Sequence, residues 1–174
     1  SFTFKVSDGT SNSSAATVSI NVTSVNDVPT ATAQSVTGNE DVSQTITLAG
    51  IDLDGDSLTY SIATPPTHGS ASLSGNTVTY TPNSNYNGLD SFTFKVSDGT
   101  STSSEAPVSV TVSAVNDAPT LVSIGNQSAS EGQVFSLVLS GSDVDGDGLT
   151  YTVSGNPSGS LLSGPTFSWT PDLS

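Results

Sequence analysis

The sequence contains no cysteine and no methionine, and His68 is its only histidine among 174 residues. Disulfides and thiolate metal sites are therefore excluded, and zinc is disfavoured because its protein sites are built from thiolate and imidazole ligands. Only two residues are Lys or Arg, against 16 Asp plus Glu, and the formal net charge is -14. This balance excludes nucleic acid and anionic membrane surfaces as partners, because binding phosphate requires basic patches.

Long apolar runs are also missing. No run approaches the roughly 18 residues that a membrane span needs, and the N-terminus lacks the charged-then-apolar pattern of a signal peptide. The single histidine lies in a segment without a Gly-x-Ser-x-Gly elbow, so we do not expect an enzyme. The metal chemistry that remains is coordination by the hard oxygens of Asp, Glu and Asn.

What the sequence does contain is a tandem repeat. The decapeptide "SFTFKVSDGT" opens the chain at Ser1 and returns unchanged at Ser91. "VNDVPT" at Val25 returns as "VNDAPT" at Val115, and "DLDGD" returns as "DVDGD". A fixed period of about 90 residues indicates domains in series.

Within one period, apolar and polar residues alternate, as in half-buried strands, and turn residues separate the alternating runs. About seven short strands in this length predict an all-β fold of tandem immunoglobulin-like Greek-key β-sandwich repeats. The predicted strands of the complete repeat are A (about 31–37), B (43–49), C (57–63), D (70–73), E (76–81), F (91–97) and G (107–113).

These strands predict three segments. Residues 1–24 form the F–G hairpin of a truncated repeat, residues 28–115 a complete domain, and residues 118–174 strands A to E of a further truncated repeat. We therefore expect both ends to be cut within a domain. Strand-swapped self-association is a further expectation, since the hairpin of one molecule matches what the last segment of another lacks.

The acidic residues collect where the domains meet. In such a sandwich the B–C and F–G loops lie at the end where strand A begins, and the A–B and E–F loops lie at the other end. Crowded carboxylates repel by about 1 to 4 kcal/mol per pair without a counter-ion, and Ca²⁺ accepts six to eight oxygen ligands. The predicted calcium ligands are Asn26, Asp27, Glu40, Asp41, Asp52, Asp54, Asp56, Asp90, Asp98, Asn116, Asp117, Asp143, Asp145 and Asp147.

Two other interpretations of the acidic loops stay open. One is an EF-hand, since the loop that begins at Asp143 matches the first six positions of that motif. It is disfavoured because Ser154, and Ala63 in the other copy, stand where a bidentate Glu is required, and strands flank both loops. The other is that these are solvated turn residues, which Asp, Asn and Gly often are.

These motifs together resemble the cadherin-like tandem repeats of large bacterial surface and secreted proteins: Asp-x-Asp after strand B, "VSDGT" before strand G and "VNDxP" in each linker. The resemblance covers essentially the whole chain, and the segment with "FSWTP" at Phe167 is more similar to immunoglobulin-like repeats of bacterial surface proteins. The resemblance to cadherin-like repeats implies calcium between successive domains. The ligands that it implies are Asp27, Asp52, Asp54 and Asp98 at the first junction and Glu40, Asp117, Asp143 and Asp145 at the second.

The expected function is a calcium-rigidified spacer of an extracellular bacterial adhesin. Its partners would be neighbouring repeats of the same polypeptide, with a glycan or cell-surface ligand reached through the parent protein. The alternative is a carbohydrate-binding module of a secreted polysaccharide-degrading enzyme. That function needs an exposed aromatic platform, for which Tyr80 and Trp169 are the candidates.

Overall fold

The computed structural model describes residues 1–172, and all regular structure in that range is β-strand. None of these residues belongs to a helix long and apolar enough to cross a membrane. The predicted all-β fold class is therefore confirmed. The strands fall into three segments, which are described in chain order.

The first segment is a hairpin. Strands β1 (Phe2–Phe4) and β2 (Ala16–Val18) pair antiparallel, with Phe2 opposite Val18. Its apolar side chains are uncovered, since Phe2 is 48% and Phe4 59% exposed.

The middle segment is a two-sheet sandwich. Its strands are β3 (Thr30–Ala31), β4 (Gln34–Asn39), β5 (Gln44–Thr47), β6 (Gly50–Ile51), β7 (Thr59–Thr64), β8 (Gly69–Ser74), β9 (Thr77–Pro82), β10 (Gly88–Ser97) and β11 (Ala106–Ser113). One sheet has the order β4-β11-β10-β7 and the other β5-β9-β8, while β3 pairs with β6. Every pairing is antiparallel except that of β4 with β11, which is parallel over six residue pairs.

All seven predicted strands of this segment have counterparts. Strand A is divided into β3 and β4, because the chain changes partner between them, from β6 to β11. Strand F begins at Gly88, earlier than predicted. The core lies between the sheets and includes Phe92, Phe94 and Tyr80, each at most 1% exposed.

The third segment contains fewer strands than predicted. Its strands are β12 (Thr120–Leu121), β13 (Phe135–Val138), β14 (Gly141–Ser142), β15 (Leu161–Ser163) and β16 (Thr166–Trp169). These pair as β12-β14 and β13-β16-β15. Residues 148–153, the predicted strand C, form no strand, and nor does the second half of strand A.

The cause of this difference is pairing. In the middle segment β7 pairs with β10, and β4 pairs with β11. Among the described residues, the third segment has no counterpart of β10 or β11, so strand C and the second half of strand A have no strand to pair with. Strands whose partners lie within the segment form as expected.

Candidate metal sites at the linkers

The two acidic loops have the same backbone conformation. Asp52 Oδ1 accepts hydrogen bonds from the backbone N–H groups of Asp54 (3.0 Å) and Asp56 (3.1 Å). In the second loop, Asp143 Oδ1 accepts the same two hydrogen bonds, from the backbone N–H groups of Asp145 (3.0 Å) and Asp147 (3.1 Å). Gly55 has a φ of 81°, a left-handed conformation that favours glycine, and the turn depends on it.

This turn gathers oxygen atoms. One carboxylate oxygen from each of Asp52, Asp54 and Asp56 lies within 4.8 Å of the others. Asp52 Oδ2 is buried and has no hydrogen-bond partner. Burying an unpaired polar atom costs about 1 to 3 kcal/mol, more for a charged group, and a cation bound at this oxygen would remove that cost. The loop therefore fits a hard cation such as Ca²⁺.

The first linker is bound to the end of the sandwich that carries this loop. The backbone N–H of Asp27 donates to Asp54 Oδ2 at 2.7 Å. The Asn26 amide donates to Asp98 Oδ2 at 3.0 Å and to Ser101 Oγ at 3.2 Å. Linker, B–C loop and F–G loop thus meet at one place, as predicted.

Asp98 is held in its ionised form. Hydrogen bonds from the Ser101 N–H, the Asn26 amide and the Thr100 N–H outweigh its slight desolvation and lower the pKa of Asp98 below the usual value. Asp8 occupies the same position in the repeated decapeptide, and the N–H groups of its own loop also lower its pKa.

At the second linker, the preceding domain contributes as well as the following one. The Val115 N–H donates to Glu40 Oε1 at 2.7 Å, and Glu40 is only 2% exposed. The Asp117 N–H donates to Asp145 Oδ2 at 2.7 Å, which repeats the contact between Asp27 and Asp54. This linker is therefore bonded to both of its domains.

Asn85, in the E–F loop, is a member of this group that the sequence did not reveal. Asp41 and Asn85 have φ values of 57° and 56°, and they are the non-glycine residues with positive φ in the described range 1–172. The Asn85 N–H donates to Asp41 Oδ1 at 3.0 Å. With its amide nitrogen facing the carboxylates, the Asn85 side chain donates to Asp41 Oδ2 and Asp117 Oδ2, each at 3.2 Å. With a cation between them, the amide oxygen would face them instead.

Asp117 lies at the centre of this second group. Partial desolvation raises the pKa of Asp117, and so do the charges of Asp145, Asp41, Glu40 and Asp143. Carboxylates of the preceding domain and of the following domain thus act on one side chain of the linker. Such a concentration of one sign of charge favours a counter-ion of the opposite sign.

Asp90 corrects the predicted ligand set. It lies in β10 instead of the E–F loop and is 7% exposed. It accepts hydrogen bonds from Thr67 N and Oγ1, His68 N, Tyr80 Oη and Ser91 N. Burial would raise the pKa of Asp90, but these hydrogen bonds outweigh it and lower the pKa. Its oxygens are used inside the domain, so it is a structural carboxylate.

The other predicted residues fall into two groups. Near the first linker lie Asn26, Asp27, Asp52, Asp54, Asp56 and Asp98. Near the second lie Glu40, Asp41, Asn116, Asp117, Asp143, Asp145 and Asp147. Their role as metal ligands stays a prediction.

The two candidate sugar-stacking residues are not exposed platforms. Tyr80 is 0% exposed, and its hydroxyl donates to Asp90, so it cannot stack on a ligand. Trp169 lies in β16 and is half-buried. The structure therefore corrects the proposal of Tyr80 as a platform.

Comparison with known protein families agrees with the fold. A family model described as "Bacterial Ig domain" matches residues 26–111 and 116–174. No curated protein matches the chain. An endo-fucoidan hydrolase, MfFcnA4 from glycoside hydrolase family 107, is 20% identical with a TM-score of 0.43, over 98% of this chain and 29% of that one.

Two further solved structures are similar. The titin domains z1z2 in complex with telethonin are 15% identical with a TM-score of 0.34, over 83% of this chain and 81% of that one. The S-layer protein rSbsC is 19% identical with a TM-score of 0.32, over 97% of this chain and 24% of that one. The chain thus spans under a third of the length of the hydrolase and the S-layer protein.

Proposed function

Because the chain belongs to the bacterial Ig domain family, as a series of such domains, we propose that it is a calcium-stiffened spacer of a bacterial surface protein. In this proposal ions bind where successive domains meet and fix the angle between them. The observation that carries it is that carboxylates of the preceding and the following domain converge on Asp117 of the linker, whose N–H donates to Asp145 Oδ2 at 2.7 Å.

Calcium suits these groups better than other cations. The available ligands are carboxylate and amide oxygens, which Ca²⁺ accepts in irregular arrangements, whereas Mg²⁺ requires near-ideal octahedral geometry. At the first linker Asp27, Asp52, Asp54 and Asp98 would hold the ion. At the second linker the ligands would be Glu40, Asp41, Asn85, Asp117, Asp143 and Asp145.

The mechanical role follows from what the linkers touch. Without a cation, the repulsion between like charges opposes close approach of the domains. With one, the same carboxylates become shared ligands, and the linker between them loses its freedom. Sites of extracellular modules bind calcium with Kd values of about 10⁻⁴ to 10⁻³ M, which suits a protein exposed outside the cell.

The proposal is tested by removing ligands and measuring the melting temperature in calcium and in chelator. We expect Asp52→Asn with Asp54→Asn to abolish most of the calcium-induced rise while leaving the melting temperature in chelator nearly unchanged. The matched control, Asp8→Asn with Glu131→Gln, removes the same charge from exposed positions away from both linkers and should keep the full rise.

Two results would contradict the proposal. Equal losses in calcium and chelator would show that Asp52 and Asp54 act through the fold. A wild-type chain whose melting temperature ignores calcium would show that the acidic loops are solvated turns.

A further inference from the structure

The E–F loop of the middle segment, residues 83–87, ends in the one Asn-Gly pair of the chain, Asn87–Gly88. Every other asparagine precedes a residue that has a side chain. Asparagine is chemically labile, because the backbone nitrogen of the following residue can attack its amide carbon, Cγ. Glycine permits this attack best, since it has no Cβ to block the approach and its backbone is the freest. Asn87 is therefore the position of this sequence where the attack is fastest.

The fold requires a glycine after Asn87. Gly88 has a φ of 136°, a conformation that residues with a side chain rarely adopt. A Cβ placed on Gly88 would lie 3.0 Å from the Tyr86 hydroxyl oxygen and 3.4 Å from Tyr86 Cζ. That hydroxyl is held in place, since it donates to the Leu89 carbonyl at 2.7 Å. The turn thus keeps a glycine beside Asn87, and the labile pair is built into the domain.

The pair is accessible in the folded domain. Asn87 is exposed and lies one residue before β10, so it is outside the ladder that β10 forms with β11. Gly88 is the first residue of that ladder, opposite Val112. The pair therefore lies where the loop ends and the sheet begins, and the ends of strands open at the lowest cost in free energy.

The loop that contains this pair contacts the second linker. The Asn85 N–H donates to Asp41 Oδ1 at 3.0 Å. The Asn85 amide nitrogen, turned toward the carboxylates, donates to Asp41 Oδ2 and Asp117 Oδ2, each at 3.2 Å. Asn87 follows Asn85 by two residues, so a change in the main chain at Asn87 acts on these contacts.

The reaction at Asn87 needs only water and hydroxide. The Gly88 nitrogen loses its proton to hydroxide and bonds to Asn87 Cγ. The bond from Cγ to Nδ2 then breaks, and Nδ2 takes up a proton from water and leaves as ammonia. Water opens the resulting cyclic imide at either of its two carbonyl carbons. Attack at Cγ gives aspartate, whereas attack at the backbone carbonyl gives isoaspartate, in which the main chain runs through the side-chain carbons. No atom is oxidised or reduced.

The two products differ in their effect on the turn. Aspartate keeps the path of the main chain and adds one negative charge. Isoaspartate lengthens the main chain by one carbon atom between Tyr86 and Gly88, the stretch that the Tyr86 hydroxyl spans to reach Leu89. Asn85 has a φ of 56°, which a residue with a side chain keeps only where its surroundings hold it there. We expect the longer chain to break the hydrogen bond and to let Asn85 leave this conformation.

We propose that Asn87 deamidates spontaneously in the folded protein and that its isoaspartate product releases the E–F loop from the second linker. Neither step involves a metal ion, so both are independent of the calcium sites proposed above. The junction between the middle and the third segment would then loosen as the protein ages.

The first test is incubation of the full chain in chelator, below its melting temperature, followed by peptide mass spectrometry. We expect the mass gain that accompanies replacement of NH₂ by OH to accumulate at Asn87, and faster at higher pH, because the attacking nitrogen must lose a proton. Asn83 and Asn85, in the same loop, are internal controls. They should react at least about tenfold more slowly, since each precedes a residue with a side chain.

A parallel incubation in urea compares the folded protein with the unfolded chain. The rate at Asn87 should be of the same order in both. Conversion in urea alone would show that the fold protects the pair, and equal rates at Asn83, Asn85 and Asn87 would show that Gly88 has no effect. Either result would overturn the proposal.

Two variants separate the products. Asn87→Gln keeps an amide but must close a six-membered ring, so it should show no mass gain over the same period. Asn87→Asp supplies the aspartate product directly and, when fresh, should melt in chelator like the fresh wild type. In the isoaspartate fraction of aged wild type, separated by chromatography, we expect a lower melting temperature and displaced NMR signals of the Asn85 and Asp117 amides. Aged Asn87→Gln should show neither change. An isoaspartate fraction that melts like the fresh protein and keeps both signals in place would overturn the release of the loop.

Discussion

Two aspartates of this chain, Asp98 and Asp117, have opposite electrostatic surroundings. N–H groups lower the pKa of Asp98, while desolvation and other carboxylates raise the pKa of Asp117. A lowered pKa stabilises the folded state above the usual pKa, and that stability is lost as the pH falls through the lowered value. A raised pKa has the reverse effect, so protonation of Asp117 favours the folded state.

The effect of replacing Asp117 on the melting temperature should therefore differ in sign between chelator and calcium. In chelator we expect Asp117→Asn to leave the melting temperature unchanged or to raise it, because the substitution removes a repelled charge. In calcium the same substitution should lower the melting temperature, because a ligand is lost. Thermal unfolding in both buffers measures this, and a loss in chelator as large as that in calcium would contradict it.

Asp90 should behave differently, because its partners are hydrogen-bond donors of its own domain. Asp90→Asn turns an amide nitrogen toward donors that now point at oxygen, and we expect it to cost about 2 to 3 kcal/mol. The loss should be equal in calcium and chelator. Since the pKa of Asp90 is lowered, its contribution should be present above the usual carboxyl pKa and disappear as the pH falls below it.

Chemical denaturation of wild type and Asp90→Asn over a pH series checks this expectation. The difference between their free energies of unfolding should shrink in acid. A difference that grows in acid, or that depends on calcium, would show that Asp90 belongs to a linker site after all.

The strands of the middle segment were predictable because they depend on local signals, namely alternation and turn residues. The acidic loops were predictable for the same reason, since Asp52 and Asp143 fold their turns with their own carboxylates. The misplacement of Asp90 arose from the start of β10, where Gly88 and Leu89 already pair with β11. Asn85 was missed because its contacts with Asp41 and Asp117 join positions far apart in sequence.

In the third segment the alternation of apolar and polar residues predicts a strand that does not form. "LTYTV" from Leu149 alternates as "LTYSI" from Leu58 does, yet only the latter contains a strand. Strand formation requires a hydrogen-bonding neighbour, and an alternating pattern says nothing about whether one is present.

This difference should be visible in hydrogen exchange. We expect amides of residues 150–153 to exchange much faster than those of 59–64, which form β7. Equal protection of the two stretches would mean that strand C of the third segment forms without a partner.

The molecule as a whole carries a net charge of -14, so any salt relieves some of its internal repulsion. Screening reaches only about 8 Å at physiological ionic strength and does not distinguish calcium from sodium. Small-angle X-ray scattering separates screening from coordination of the ion at the linkers. We expect calcium, but not sodium at equal ionic strength, to give a longer and more rod-like particle, with magnesium less effective.

An identical response to sodium and calcium would reduce the role of the ion to screening. A response to calcium alone would indicate coordination at the linkers. The Asp52→Asn, Asp54→Asn chain provides the control, because it should lengthen less.

The parallel pairing of β4 with β11 has a mechanical consequence. These strands lie next to the two ends of the middle domain, so a pull on the linkers draws them in opposite directions along their length. Their six residue pairs, from Gln34 with Val108 to Asn39 with Ser113, are then loaded together in shear instead of opening one at a time. A tether built this way resists tension with its whole ladder at once, and breaks only when all of its bonds yield.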